Sequence, residues 1–167
     1  MTNLFPRLWT HLCTGTGAVQ RRFDADAMTR IRNAIAASEL GHVGEVRFAV
    51  EAALPLRALW HRKNARARAL EVFAQLRVWD TQANSGVLLY LLWADRAIEV
   101  VADRGIAALV PASAWESICA EVRDGLRGAQ PADAVIAGVV KIGDLLRATL
   151  PGEKSTPDEL PDDPVLL

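Results

Sequence analysis

Oxygen-bearing side chains cluster at the ends of the most apolar runs in the middle of the 167-residue chain. Carboxylate, amide and hydroxyl oxygens are the ligands that Ca²⁺ and Mg²⁺ prefer. Arg104 adds a guanidinium of the kind that holds a phosphate oxygen. These residue types predict a divalent-cation site, with Asp80, Asp103 and Arg104 as candidates for a catalytic role. The predicted cation ligands are Glu45, Asp80, Thr81, Asn84 and Asp103.

The same residues have a purely structural interpretation, which the sequence leaves open. Asp103-Arg104-Gly105 has the composition of a helix or turn cap with a salt bridge. Asn84 stands where a turn residue is expected, between a polar loop and an apolar run. Under this interpretation the side chains support the backbone and bind no ion.

A second group of polar residues is basic. Arg57, His61 and Arg62 lie close to the predicted beginning of a helix, where backbone N–H groups and the helix dipole favour an anion. Arg96 follows a predicted strand, and open α/β sheets bind ligands at the carboxyl ends of their parallel strands. These four residues are candidate anion ligands, and a solvated basic loop is the alternative.

Three predicted strands would place the two groups at opposite edges of one sheet. Residues 45–53 alternate between apolar and polar in their first half and predict a strand. Residues 86–93 are apolar on both faces and indicate a central strand. Residues 97–102 return after a short polar turn. A helix between the first two strands makes a βαβ unit, so those strands are expected to be parallel and the third antiparallel.

Four helices are predicted to cover this sheet. The first begins at Asp24 or Asp26 and ends before Gly41, and the second follows Asn64 and runs to residue 77. Residues 113–116 read as a capping box that opens the third, and Pro131 starts the fourth. Residues 54–63 are predicted to be a loop. The predicted fold class is α/β, with a mixed sheet of a βαβ unit plus a β-hairpin, flanked by about four helices.

The two ends of the chain differ from the middle in composition. Residues 1–22 contain arginine but no acid, and they predict a basic N-terminal arm that is compatible with a short helix. Residues 152–167 predict an acidic, proline-rich C-terminal tail whose last three apolar residues are candidates for docking at a site that the sequence does not identify. The basic arm is a candidate for contact with an acidic protein partner or with lipid headgroups.

Several classes of function are disfavoured by the sequence. The net charge of −1 gives no basis for a nucleic-acid partner. Neither a dinucleotide-binding glycine motif nor a phosphate-binding loop is present, so no nucleotide cofactor is expected. No apolar run reaches the roughly 20 residues that cross a bilayer. The N-terminal segment also lacks the continuous apolar stretch of a secretion signal, so a cytoplasmic location is expected.

The central runs carry a resemblance to a known family. Asn84-x-Gly-Val-Leu, then Asp95-Arg96, then Asp103-Arg104-Gly105-Ile, followed by a capped Trp-containing helix and a final helix, resembles the TPM domain. The resemblance covers about residues 23–151 and implies a Rossmann-like α/β sandwich. The tail from residue 159 is similar to that of short bacterial members, which have neither signal peptide nor membrane anchor.

The activities that this resemblance implies are varied. A plant thylakoid member implies acid phosphatase activity and a role in photosystem repair. Some bacterial members are associated with calcium, and an animal member is an accessory of a receptor channel. This chain departs from many members by carrying Ser85 between Asn84 and Gly86. Fold alone therefore does not fix the function.

Three hypotheses remain after these observations. The first is a binding or accessory module that works with an unidentified protein partner and binds Ca²⁺ or Mg²⁺. The second is a metal-assisted phosphomonoesterase, with Asp80 and Asp103 as metal ligands and Arg104 on the phosphate. The third is a scaffold that acts through its basic arm or its C-terminal tail.

Overall fold

A computed structural model describes residues 4–153 and 159–167. Within these residues the strands are β1 (Glu45–Glu51), β2 (Gly86–Leu92), β3 (Ala97–Ala102) and β4 (Val165–Leu166). The helices are α1 (Leu4–Cys13), α2 (Thr16–Gln20), α3 (Ala25–Ser38), α4 (Leu56–Trp60), α5 (Ala65–Gln75), α6 (Arg104–Ala107), α7 (Ala112–Gly125) and α8 (Pro131–Thr149).

The strands form one mixed sheet in the order β3-β2-β1-β4. β1 and β2 are parallel, with Glu45 opposite Gly86, and β2 and β3 are antiparallel, with Val87 opposite Ala102. The predicted βαβ unit and hairpin are therefore confirmed. β1 ends at Glu51, two residues before its predicted end.

Both faces of the sheet are covered, as expected for a central strand that is apolar on both sides. Alternate residues of β2 point into two separate cores. Val87, Leu89 and Leu91 pack with α3, α7 and α8. Leu88, Tyr90 and Leu92 pack with α4 and α5. The predicted α/β sandwich is confirmed.

Local capping chemistry explains where two of the long helices begin. Asp24 accepts a hydrogen bond from the backbone N–H of Ala27 at 2.9 Å, and Asn64 accepts one from Ala67 at 2.8 Å. Both caps agree with the sequence prediction. The predicted capping box at residues 113–116 is wrong. α7 begins at Ala112 with Pro111 at its N-cap, so Ser113 already lies inside the first turn.

The sequence allows a short helix in the N-terminal arm, where α1 lies, but it does not predict the short helices α2, α4 and α6. α4 lies within residues 54–63, so the prediction of a continuous loop there is wrong. Residues 1–22, interpreted as an arm, include α1 and α2. Helices of four to ten residues give too few turns for a clear apolar periodicity, which is why the sequence pattern does not reveal them.

The described part of the C-terminal tail docks on the open side of β1. Ala49 pairs with Val165, and the backbone N–H of Leu167 donates to the carbonyl of Val50 at 2.9 Å. Leu160 is buried in the core beneath α5. The apolar end of the tail thus covers a sheet edge of its own chain.

The helices were also compared with the requirements of a membrane span. Among the residues that the structure describes, none belongs to a helix that is both long and apolar enough to cross a bilayer.

Candidate functional site

The first predicted group lies at the edge of the sheet where β1 and β2 begin and β3 ends. The backbone N–H of Glu45 donates to the carbonyl of Ser85 at 3.1 Å. The backbone N–H of Asp103 donates to the carbonyl of Gly86 at 2.9 Å. We call the surroundings of Glu45, Asn84 and Asp103 the Asp103 edge. The strand order thus brings these three positions to one edge, as the topology required.

The side chains at the Asp103 edge are engaged by their own chain. Asp103 Oδ1 accepts from the backbone N–H of Arg104 at 2.7 Å and caps α6. Asn84 adopts a positive φ of 51°, as a turn residue does, and its Oδ1 accepts from Arg104 Nε at 3.0 Å. The cap and turn roles that the sequence left open are therefore observed.

Two further predicted ligands have local structural roles. Thr81 Oγ1 accepts from the backbone N–H of Ser85 at 2.9 Å and closes the turn before β2. Glu45 is buried, and its Oε1 lies 3.5 Å from the backbone nitrogen of Glu159 in the tail. Glu159 in turn accepts from the backbone N–H of Gln82 at 2.7 Å. Nothing in the sequence connects Glu159 with this edge, because 114 residues separate it from Glu45.

Asp80 differs from the other members of the group because it is exposed. Its backbone N–H donates to the carbonyl of Arg77 at 2.9 Å. Its side chain makes no hydrogen bond or ion pair with any residue of 4–153 or 159–167. The structure therefore does not join Asp80 to Asp103 through a common contact.

The oxygen atoms of the Asp103 edge meet only some of the requirements of a divalent-cation site. Asp103 Oδ2 is buried and has no hydrogen-bond partner among residues 4–153 and 159–167, a feature that fits an ion. Asn84 Oδ1 is occupied by the cationic Arg104 side chain, which opposes a second positive charge. In the described parts of the chain, no three His, Cys, Asp or Glu residues are grouped closely enough to hold a metal. A calcium site takes six to eight oxygens, and Asn84 Oδ1 and Asp103 Oδ1 already accept hydrogen bonds from the protein.

The second predicted group divides between two sides of the sheet. Arg57 lies on α4, His61 is its C-cap, and Arg62 follows with a φ of 53°; all three are exposed. Arg96 lies in the β2–β3 turn, and its Nη1 donates to the carbonyl of Leu126 at 3.2 Å. Leu126 belongs to the core of α7 and α8, whereas α4 covers the opposite face. Three of the four candidate anion ligands are thus neighbours in sequence, and Arg96 is held elsewhere.

An ion-pair network that the sequence did not predict holds α1 against the hairpin turn. Asp95 Oδ2 accepts from Arg7 Nη2 at 2.7 Å, and Asp95 Oδ1 lies 2.9 Å from His11 Nε2. The other ring nitrogen of His11, Nδ1, accepts from the backbone N–H of Leu54 at 2.9 Å. Burial of Asp95 opposes its ionisation, but the hydrogen bonds from Arg7 and His11 outweigh burial and lower its pKa.

A buried network stands beside the carboxyl end of β1. Glu51 Oε2 accepts from Tyr90 Oη at 2.6 Å and from Arg68 Nε at 2.8 Å. Burial, followed by the hydrogen bond to Glu51, raises the pKa of Tyr90. The Glu51 side chain is therefore hydrogen-bonded and paired with Arg68 within the core, and it is not presented to a ligand.

Helices α1 and α4 each expose two large apolar side chains. The two helices contact each other, and the exposed fractions are 71% for Trp9, 56% for Leu12, 54% for Leu56 and 75% for Trp60. We call these four residues the α1–α4 surface. Sequence reasoning missed it because α1 was interpreted as part of an arm and α4 as part of a loop. The available signal was two tryptophans in segments without any acid.

Concave clefts lie elsewhere on the molecule. A cleft of about 540 Å³ between β3 and α7 is lined by Arg66, Glu99, Trp115, Cys119 and Arg123, among others. Burial raises the pKa of Glu99 in this cleft. None of the residues predicted to bind a cation or an anion lines it. The cleft and the predicted chemistry therefore do not coincide.

Comparison with known proteins places this architecture. The fold is similar to the NMR structure of the BA42 protein from the psychrophilic bacterium Bizionia argentinensis, with a TM-score of 0.74 and 24% sequence identity. The match covers 86% of this chain and 94% of that one, and at this identity it bears on the fold. No curated protein matches. The model of the TPM domain matches residues 20–145, most of the described core. The resemblance recognised from the sequence is therefore confirmed, and the chain belongs to the TPM domain family.

Proposed function

We propose that this TPM domain protein is a non-catalytic docking module whose binding site is the α1–α4 surface. The observation that carries the proposal is the grouping of two tryptophans and two leucines, each more than half exposed, on two helices in contact. Single exposed apolar residues are ordinary, but several large ones on two helices in contact favour an interaction site. Tryptophan is also enriched among the residues that dominate binding energy.

The way α1 is held adds a second argument. Arg7 and His11 fix one side of the helix through Asp95, and Leu8 packs on the core beneath α4 and α5. Trp9 and Leu12 are consequently presented by a helix that is already positioned. A surface ordered before binding loses less conformational entropy when a partner arrives.

Photocrosslinking in intact cells of the source organism tests this proposal. A benzophenone amino acid replaces Trp9 or Trp60, and the control carries it in place of Trp79. Trp79 is 50% exposed but lies after α5, outside the surface. Covalent adducts to lipid or protein are expected at positions 9 and 60 and not at position 79. Equal labelling of the three positions, or no adducts at 9 and 60, would overturn the proposal.

A divalent cation at the Asp103 edge is a second candidate, supported by the unpartnered Asp103 Oδ2 alone. Such an ion would be held by Asp103 with oxygens of Glu45, Asp80, Thr81 or Asn84. The phosphomonoesterase hypothesis depends on it, because Arg104 would otherwise face a phosphate without a metal. Thermal unfolding of chelator-treated protein with added Ca²⁺, Mg²⁺ or Mn²⁺ tests both, since a specific ligand raises the midpoint by mass action. A saturable rise that is lost in Asp103→Ala would support the cation, whereas no rise would end both hypotheses.

A further inference from the structure

We infer that the partner of the α1–α4 surface is an anionic lipid bilayer. The inference rests on the proposed docking function and names the chemistry of what docks. Two properties carry it: the sign of the charge around the surface, and the identity of the aromatic residues within it.

The two segments that form the surface carry charge of one sign, and the carboxylates of Asp95 and Glu71, which lie outside these segments, pair with Arg7 and Lys63. The segments, residues 4–22 and 52–70, contain no Asp or Glu. Arg57 and Arg62 are exposed, and neither makes a hydrogen bond or ion pair through its side chain within the part of the chain that the structure describes. Neighbouring cations differ, because Lys63 and Arg68 both bind Glu71. Uncompensated guanidinium groups therefore lie on α4 itself, at Arg57, and just after its C-cap, at Arg62.

The aromatic residues are those that favour a membrane interface. Tryptophan concentrates at the headgroup level, where its ring is buried in the acyl boundary and its N–H remains hydrated. Leucine beside tryptophan and arginine at the border of an apolar face is the composition of interfacial helices. Anionic headgroups attract such basic residues over about a Debye length.

A protein partner fits these observations less well. Protein interfaces usually have a rim that mixes polar and charged groups. Here both segments that form the surface carry positive charge only, and they surround four large apolar side chains. A bilayer of anionic lipid satisfies both features at once, without requiring a matching shape.

Co-sedimentation of the full-length protein with lipid vesicles tests the inference. One set of vesicles contains phosphatidylcholine alone and the other contains phosphatidylcholine mixed with phosphatidylglycerol. Binding to the anionic vesicles, weakened by added salt, is expected, with little binding to the neutral set. The double variant Arg57→Gln/Arg62→Gln should bind about 30-fold more weakly, because each lost basic side chain removes about fivefold in affinity. Trp9→Ser/Trp60→Ser should lose about tenfold or more, because two large apolar groups no longer insert.

A matched control variant is available in the same chain. Arg77→Gln/Trp79→Ser removes one exposed arginine and one exposed tryptophan outside the surface, and its vesicle binding should equal that of the wild type. The thermal unfolding midpoint of each variant is measured as well, to verify that the variant is folded.

The outcomes separate this inference from the proposed function. Equal binding to neutral and anionic vesicles, or equal losses in the control, would overturn the lipid assignment. Absence of vesicle binding together with protein adducts at positions 9 and 60 would overturn it while leaving the docking function intact. Absence of both vesicle binding and adducts would overturn the two together.

Discussion

The Asp103 edge and the α1–α4 surface differ in what their side chains already contact. At the Asp103 edge, Thr81, Asn84 and Asp103 accept hydrogen bonds from nearby groups of the same chain. At the α1–α4 surface, Trp9 and Trp60 are mostly exposed, and the side chains of Arg57 and Arg62 make no hydrogen bond or ion pair with the described residues. The first region has residue types suited to chemistry but uses them to build turns. A residue type shows what a side chain is able to do, and its contacts show whether it is available.

The largest expected effect tests whether the Asp103 edge is tightly packed, as the comparison of the two regions requires. Gly86 begins β2, and a Cβ there would overlap the backbone carbonyl of Val78. Because that neighbour is backbone rather than a flexible side chain, Gly86→Ala should destabilise the protein by about 3 kcal/mol. Urea unfolding measures the change.

Gly15→Ala is the matched control for this prediction. Nothing lies within 4 Å of a Cβ at Gly15, and its φ of −87° suits any residue. A change of no more than about 0.5 kcal/mol is expected. Equal effects of the two substitutions would show that the edge adjusts freely and is not closed by its own backbone.

The attachment of α1 gives the next largest expected effect. Asp95→Asn removes the charge that binds Arg7 and His11, and the carboxylate is only 21% exposed. Charge-assisted hydrogen bonds of this kind contribute about 2 kcal/mol, so the free energy of unfolding should fall by that amount at pH 7. Asp124→Asn, which removes an exposed i,i+3 ion pair with Arg127, should cost no more than about 0.5 kcal/mol.

The difference in stability between the wild type and Asp95→Asn is also expected to depend on pH. The folded-state pKa of Asp95 is lower than its ordinary value of 3.8, so its contribution is complete above that value. This contribution is lost as the pH falls through the lowered pKa, because the Asp95 carboxyl is then protonated in both the folded and the unfolded state. Urea unfolding at a series of pH values should show the difference between wild type and Asp95→Asn narrowing below pH 3.8. A difference that stays constant into acid would contradict the ion-pair anchoring of α1.

A smaller effect is expected from the cap at the Asp103 edge. Asp103→Ala removes the N-cap of α6 and should cost about 1 kcal/mol. Because the visible role of Asp103 is capping, the cost should be the same in chelator and in millimolar calcium. Chemical denaturation in the two buffers makes the comparison. A cost that grows with calcium would place a cation at Asp103 and reopen the phosphatase hypothesis.

The features that the sequence predicted depend on contacts between near neighbours or on whole apolar runs. The caps at Asp24 and Asn64 bond three residues ahead, and a run apolar on both faces indicates the central strand whatever its partners are. The βαβ and hairpin connections then fix the strand directions. The capping box failed because Pro111 starts α7 two residues earlier than the motif implied.

The features that the sequence missed depend on long-range contacts. His11 and Asp95 are 84 residues apart, and no local spacing links them. When that contact is unknown, α1 is interpreted as a loose arm, and its tryptophan is not placed near α4. Likewise, Asn84 and Arg104 suit ligand binding until their side chains prove to bind each other at 3.0 Å.

The smallest expected effect concerns the α1–α4 surface, the second region of the comparison. Trp9→Ser/Trp60→Ser should change the free energy of unfolding by no more than about 0.5 kcal/mol, because both side chains are mostly exposed. Leu59→Ala, one residue from Trp60 on α4 but fully buried, should cost about 3 kcal/mol. Two adjacent residues of α4 would then have different roles, with Leu59 needed for stability and Trp60 for binding. Tryptophans that can be removed without loss of stability are not needed by the fold, which is the result expected of residues that serve an external contact. A large loss of stability in the double tryptophan variant would instead make the surface part of the core and remove the basis for docking.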